Sequence, residues 1–282
     1  MDNHNFNGYV VLKFAIDFLD RKPLGKSGEL IPAVGIGTWA IRNEANAEKA
    51  LVKAVELGLN LIDTAEMYGN GRAEELVGKV IKQVGRESVF IVTKMLPQHL
   101  IDRYEVIKAG RASLRRLGVR EVDLFLIHWP NEFISIEKQV KNFEVLIDEG
   151  LTRYIGVSNF DVEALEEAVN ATKKADIVAD QVHYSVLHKE VEKRLLPKAL
   201  ELLITIQAYT PLERGAVLTH PKVVEVAKQV NKTPTQVALN YLISRPYVVA
   251  IVKSENEEHV KDIAGSLGWR LTKEQIEALE MV

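Results

Sequence analysis

The sequence predicts an α/β fold, a single (β/α)8 TIM barrel with extra helices in its C-terminal part, on three observations. Eight short apolar runs rich in β-branched residues recur along the chain. Helical stretches separate most of them, giving a repeat of roughly 25–35 residues, as parallel strands joined by crossovers require. No Pro/Gly/Ser-rich linker or shift in composition divides the chain, and its 282 residues, 47% hydrophobic, can bury one large core. The expected division is an N-terminal extension over 1–20, packed outside the fold, and a barrel over 21–282.

The eight strands are read in order as VGIGT (34–38), NLIDT (60–64), VFIVTK (89–94), DLFLIHW (123–129), RYIGVS (153–158), IVADQVHY (177–184), LLITIQAY (202–209) and VVAIVKS (248–254). Each suits a strand buried on both faces. NEANAEKALVKAVELG places Ala47, Ala50, Leu51, Ala54 and Val55 on one helical face and stops at Gly58. RAEELVGKVIKQVG, YEVIKAGRASLRRLG, IEKQVKNFEVLIDEG and DVEALEEAVNATKKA follow the same rule. Between strands seven and eight, HPKVVEVAKQVN reads as an additional helix before TPTQVALNYLISR. TKEQIEALE closes the chain as a last helix.

VGIGTWA (34–40) also reads G-x-G-x-x-A, a form of the dinucleotide fingerprint of doubly wound folds. That fingerprint needs a helix starting at once after the glycines and an acid about 20 residues on. Here the first good helix begins only near Asn46, and Glu56 falls inside it. The glycines are better read as thinning the first barrel strand.

Polar residues close nearly every strand: Asp63 and Thr64, Lys94, His128, Ser158 and Asn159, Gln181, Tyr209, then Lys253 and Ser254. In a barrel these ends ring one mouth, where barrel enzymes work. Tyr68 follows Asp63 in the loop EMYGNG, so an acid, a cation, an imidazole and a phenol can converge. A buried ammonium beside the phenol would lower its pKa, and a carboxylate beyond would hold the ammonium in place. The imidazole would be free to bond a substrate oxygen, giving a proton donor with an oxyanion-stabilising neighbour. Lys94 also reads as a Schiff-base amine, and His128 as a metal ligand. Against a metal, no H-x-H or H-E-x-x-H occurs, and His183 and His188 stand five apart.

With these motifs in hand, the chain from about Arg21 onward resembles the aldo-keto reductases. GIGTW, LIDTAEMYGNG, VFIVTK, VDLFLIHWP, IGVSNF, QAYTPLERG and IVKS carry the resemblance. It implies a barrel that binds NAD(P)H extended across its mouth, and the reduction of aldehydes or ketones to alcohols, or the reverse. Tyr68 would be the general acid, Lys94 paired to Asp63 would tune it, and His128 would orient the carbonyl. Ser158, Asn159 and Gln181 would hold the carboxamide, with Tyr209 stacked on the nicotinamide. Gly37, Thr38 and Asp63 would lie beside the cofactor, and Pro211 and Leu212 near its pyrophosphate. Lys253, Ser254, Asn256 and His259 would meet the adenosine 2′-phosphate. Trp39 would line the substrate pocket, with Trp129 at its rim. The resemblance implies NADPH as cofactor with NADH also accepted, and a carbonyl, alcohol or sugar substrate. It also admits a non-catalytic NADP-binding regulatory subunit.

The departures lie at the cofactor end. Val252 stands for the usual Pro, His259 for Arg, Ile263 for Asn and Glu213 for Gly, which weakens the expected grip on phosphate. A short WPNEFIS loop and an early C-terminus suggest an open pocket. The formal charge of −3 and scattered basic residues give no nucleic-acid surface. The absence of cysteine excludes disulfides and thiolate chemistry. MDNHNFNG lacks a basic n-region, and YVVLKFAIDFLDRK is too short to span a bilayer. The expectation is a cytoplasmic monomer or weak homo-oligomer without a membrane partner.

Overall fold

The computed structural model describes residues 13–282, so most of the expected N-terminal extension lies outside the described residues. An antiparallel hairpin comes first, β1 (Arg21–Pro23) and β2 (Leu30–Pro32). The strand pattern above did not include it. Its Leu24 and Ile31 are fully buried against barrel residues such as Leu61, Phe90, Leu124 and Val178, and so plug the bottom.

The barrel strands are β3 (Val34–Gly37), β4 (Leu61–Asp63), β5 (Phe90–Met95), β6 (Val122–Ile127), β7 (Thr152–Ser158), β8 (Ile177–His183), β9 (Thr205–Tyr209) and β10 (Val248–Lys253). All pair in parallel, and β10 closes the ring by bonding both β9 and β3. The eight expected strands are therefore present, each trimmed or shifted by a few residues.

Around them run α1 (Glu44–Glu56), α2 (Arg72–Val84), α3 (Arg103–Leu117), α4 (Ile136–Phe143), α5 (Val145–Asp148), α6 (Val162–Ala171), α7 (Leu195–Leu202), α8 (Pro221–Gln229), α9 (Pro234–Ile243), α10 (Glu257–Ala264) and α11 (Lys273–Glu280). Helix α1 starts earlier than Asn46, because the Asn43 side chain caps the Asn46 amide. The stretch expected as one helix over 136–150 is interrupted at Glu144, whose buried carboxylate takes the backbone N–H groups of Lys173, Lys174 and Ala175. Helices α7 and α10 fill crossovers where the sequence pattern specified none.

Strand alternation decides what faces the mouth. Side chains two apart share a face, so Leu61 continues to Asp63, Phe90 and Val92 to Lys94, and Leu124 and Leu126 to His128. Each inner row starts apolar at the plugged end and ends polar at the C-terminal rim. Register levels these ends, with Lys253 beside Gly37, Gly37 beside Asp63, and Ser158 beside Gln181. Gly35 sits where strands press closest. A β-carbon there would meet Leu61 Cδ2 at 2.5 Å and the Leu61 carbonyl oxygen at 2.9 Å. That is the thinning expected of the glycines in VGIGTWA.

Candidate active site

Lys94 is the hub of the mouth. Its fully buried ammonium donates to Asp63 Oδ2 at 2.8 Å, to the Thr64 carbonyl at 2.9 Å and to the Tyr68 hydroxyl at 2.9 Å. Asp63 Oδ1 accepts from Gln181 Nε2 at 2.7 Å, so an amide from the opposite wall orients the carboxylate. Tyr68 opens a tight turn in which Gly69, Asn70 and Gly71 all have positive φ. That turn aims the phenol back over β5.

Burial alone would lower the Lys94 pKa, but Asp63 and Tyr68 outweigh it and the pKa is raised. With its three donors engaged and its charge fixed, Lys94 has no lone pair for a Schiff base. For Tyr68, burial raises the phenol pKa, and the Lys94 charge opposes this without overcoming it. The expected net lowering therefore fails: the phenol is more protected from water than the sequence can reveal, and Asp63 adds a further upward push. The group remains a protonated donor at neutral pH. Burial, then the Lys94 charge, hold the His128 pKa down at about 3, so the imidazole is neutral. Its Nδ1 is buried with no partner.

Four aromatic rings line one side of this hub. Trp39 meets Tyr68 edge-on at 5.1 Å between centroids, Tyr68 meets His128 at 5.8 Å, and His128 tilts against Trp129 at 4.6 Å. Trp39 is 52% exposed, which places it on the outer lip.

A polar cluster lines the other side. Ser158 Oγ donates to the Gln181 carbonyl, and Asn159 Nδ2 donates to the His128 carbonyl and to Ser158 Oγ. The Tyr209 hydroxyl donates to Asn159 Oδ1 at 2.9 Å. Thr38 Oγ1 donates to the Asp63 carbonyl, fixing the end of β3 to β4. Among the non-glycine residues with positive φ are Ala40, Asn70, Asn159, Thr210, Glu213 and Arg214, all in loops at this mouth. Backbone strain gathers at functional sites in this way.

Two features were not recovered from the sequence. His183 lies flat against Tyr209 and His188, and its Nε2 is 2.7 Å from Glu213 Oε1. Its parity with Gln181 along β8 is the signal that could have found it. The second feature is Glu255. Its carboxylate pairs with Lys253 and accepts the backbone N–H groups of Arg42 and Asn43. Lys253 is therefore not the free cation expected, because the acid two residues on folds back over it. Asn256 Oδ1 caps α10 through the amides of Glu258 and His259, leaving only its NH2 as a donor. Ser254 Oγ accepts the Asn256 amide, and His259 stands exposed in the first turn. Pro211 and Leu212 begin the loop after β9, ahead of the left-handed pair Glu213 and Arg214.

Among the described residues, no group of three or more His, Asp or Glu is placed to hold a metal. None of the described helices is long and apolar enough to cross a membrane.

Comparison with known proteins places this barrel in a class of reductases. The profile of the Aldo/keto reductase family matches residues 33–282. The chain belongs to the Aldo/keto reductase family and is an oxidoreductase of that kind. It is 36% identical over 272 residues to the methylglyoxal reductase YeaE of Escherichia coli K12, covering 93% of this chain and 95% of that protein. Among solved structures, the thermostable aldo-keto reductase Tm1743, in complex with the inhibitor epalrestat, superposes with a TM-score of 0.88 at 38% identity. That match covers 93% of this chain and 98% of the other. An aldo-keto reductase from Klebsiella pneumoniae in complex with NADPH gives 0.86 at 32% identity, covering 93% and 95%.

Proposed function

We propose that this chain reduces small aldehydes and ketones to alcohols with NADPH, accepting NADH as well, with Tyr68 as general acid. The observation that carries the reading is the Lys94 ammonium bridging Asp63 and the Tyr68 hydroxyl at 2.8 and 2.9 Å. NADPH when bound supplies the hydride that adds to the carbonyl carbon. The Tyr68 O–H bond breaks, and its proton goes to the carbonyl oxygen. The phenolate left behind faces Lys94, whose charge offsets it, and Asp63 and the Thr64 carbonyl keep that charge in place. His128, being neutral, donates one N–H to the carbonyl oxygen as charge builds there.

The residues present suit the cofactor. Ser158, Asn159 and Gln181 offer a hydroxyl and two amides in one cluster beside the half-buried Tyr209 ring, which fits a flat ring bearing a carboxamide. The Gln181 nitrogen is committed to Asp63, so its side-chain oxygen remains to accept from that carboxamide. Lys253, Ser254 and His259 face the adenosine end. Trp39 and Trp129 flank the opening for substrate. The name of the Escherichia coli relative makes methylglyoxal the first substrate to try.

The test is NADPH consumption with methylglyoxal and with a series of simple aldehydes, confirmed by identification of the alcohol formed. Turnover with at least one aldehyde supports the reading. Cofactor binding with no turnover across the series overturns it.

A further inference from the structure

Glu255 occupies an anion site that the fold itself builds. Oε1 accepts the Arg42 amide at 2.9 Å and Oε2 accepts the Asn43 amide at 2.9 Å, while Lys253 Nζ pairs with the same carboxylate. Two backbone N–H groups and an ammonium are the donor set of an oxyanion pocket. They come from both sides of the seam where β10 meets β3. Burial works against the charged carboxylate, but Lys253 and the two amides outweigh it, and the pKa stays below the usual range. A cleft of about 340 Å³ lies alongside, lined by Asn46, Lys49, Glu255, Asn256, Glu257 and Glu258.

We propose that Glu255 is a positioning residue that sets cofactor selectivity: its carboxylate holds Lys253 and so competes with the 2′-phosphate of NADPH, leaving this chain only weakly selective over NADH. The proposal rests on the reading of this corner as the adenosine end of the cofactor site. A phosphate monoester carries about −1.5 to −2 at neutral pH. To reach Lys253 it must displace the carboxylate from two amides or share the ammonium with it, and like charges sharing one partner repel. NADH brings a ribose hydroxyl instead, which can donate to the same carboxylate. The charge of Lys253 is thus present but already engaged, and of the other charged residues lining the cleft, Glu257 and Glu258 add negative field that Lys49 only partly offsets.

A purely structural role for Glu255, tying the loop after β3 to the loop after β10, makes a different forecast. Glu255→Gln keeps the shape and one carbonyl acceptor for those amides but removes the charge. Dissociation constants for NADPH and NADH are measured by fluorescence titration on the full chain, for wild type, Glu255→Gln, Lys253→Met and the double variant, with melting temperatures alongside. Freeing a charge-assisted contact should tighten NADPH about five- to tenfold in Glu255→Gln, with NADH changed less than about twofold. Lys253→Met should weaken NADPH less than about threefold in wild type, because its ammonium is already paired, yet erase the whole gain in the Glu255→Gln background. An unchanged NADPH-to-NADH ratio in Glu255→Gln, or both cofactors weakening together with a lower melting temperature, overturns the proposal. A large loss of NADPH affinity in Lys253→Met alone also overturns it, and does not depend on how Glu255→Gln folds. If wild type binds neither nucleotide, the proposed function itself fails, which is a separate and recognisable result.

Discussion

Replacing Lys94 with Met removes one buried charge and strands another, and the structure sets the scale of the effect. The ammonium is fully buried and holds three acceptors, at 2.8 Å on Asp63, 2.9 Å on Thr64 and 2.9 Å on Tyr68. Breaking one partner of a buried ion pair is typically worth ~3–5 kcal/mol. Gln181 still donates to Asp63 at 2.7 Å, which argues for the lower end. A loss of about 3 kcal/mol should lower the melting temperature by roughly 6–10 °C in a domain of this size. The raised Lys94 pKa means that its contribution is complete below about pH 10.5 and is lost only as pH rises through the still higher folded value. The difference between variant and wild type should therefore stay constant from pH 6 to pH 9. Activity should fall with stability, because the phenolate formed on Tyr68 loses its counter-charge, and a drop of ~10²-fold or more is expected. Urea denaturation and NADPH-linked reduction are the assays, and Asp63→Asn completes a double-mutant cycle. The double variant should be less destabilised than the sum of the singles by at least ~0.5 kcal/mol. Additive effects, or a Lys94→Met protein that is stable and active, would refute the pairing and the role assigned to it.

His128 offers a test by pH. Its pKa is about 3 in the fold, held down first by burial and then by Lys94, against about 6.5 in an unfolded chain. Below about pH 6.5 the unfolded chain binds the extra proton first, so this one residue lowers stability by up to ~1.4 kcal/mol per pH unit until pH approaches 3. His128→Gln removes that component, and its stability relative to wild type should improve between pH 7 and pH 4; a difference that does not move with pH would count against a buried neutral imidazole. Gly35→Ala should destabilise by about 1–3 kcal/mol through overpacking, since its β-carbon would meet Leu61 side chain and backbone within 3 Å. Equal melting temperatures for that variant and wild type would mean that the β3–β4 seam can yield.

The barrel was legible because its strands are buried on both faces and stand out as short apolar runs between amphipathic helices. Asp63, Lys94 and His128 were legible for a related reason: a polar residue continuing an apolar inner row, as Asp63 continues Leu61, marks the rim, and Tyr68 followed from its place in the loop after Asp63. The β1–β2 hairpin was hidden because its three-residue strands carry too few side chains to show a period. The interruption at Glu144 was hidden because a glutamate in a helical pattern gives no sign that it will bond to the amides of a distant loop. The Tyr68 pKa moves opposite to the sequence expectation because a charge can be read from sequence neighbours, whereas the water excluded by Trp39 and His128 cannot. Glu255 could have been found. An acid directly after Ser254, in a segment expected to hold phosphate, opposes the charge that segment needs, and that mismatch is the signal.

Whether the Tyr68 hydroxyl delivers the proton is tested most directly by Tyr68→Phe. The ring can still pack between Trp39 and His128, while the hydroxyl held by Lys94 is removed. The measurement is kcat/KM for NADPH-dependent reduction of a simple aldehyde, with the NADPH dissociation constant determined on the same protein. The expected result is a fall of ~10²–10⁴-fold in kcat/KM with NADPH affinity changed less than about twofold. A variant that keeps more than about a tenth of the wild-type value would contradict it, because general acid catalysis is worth more than that and the proton must then come from another group.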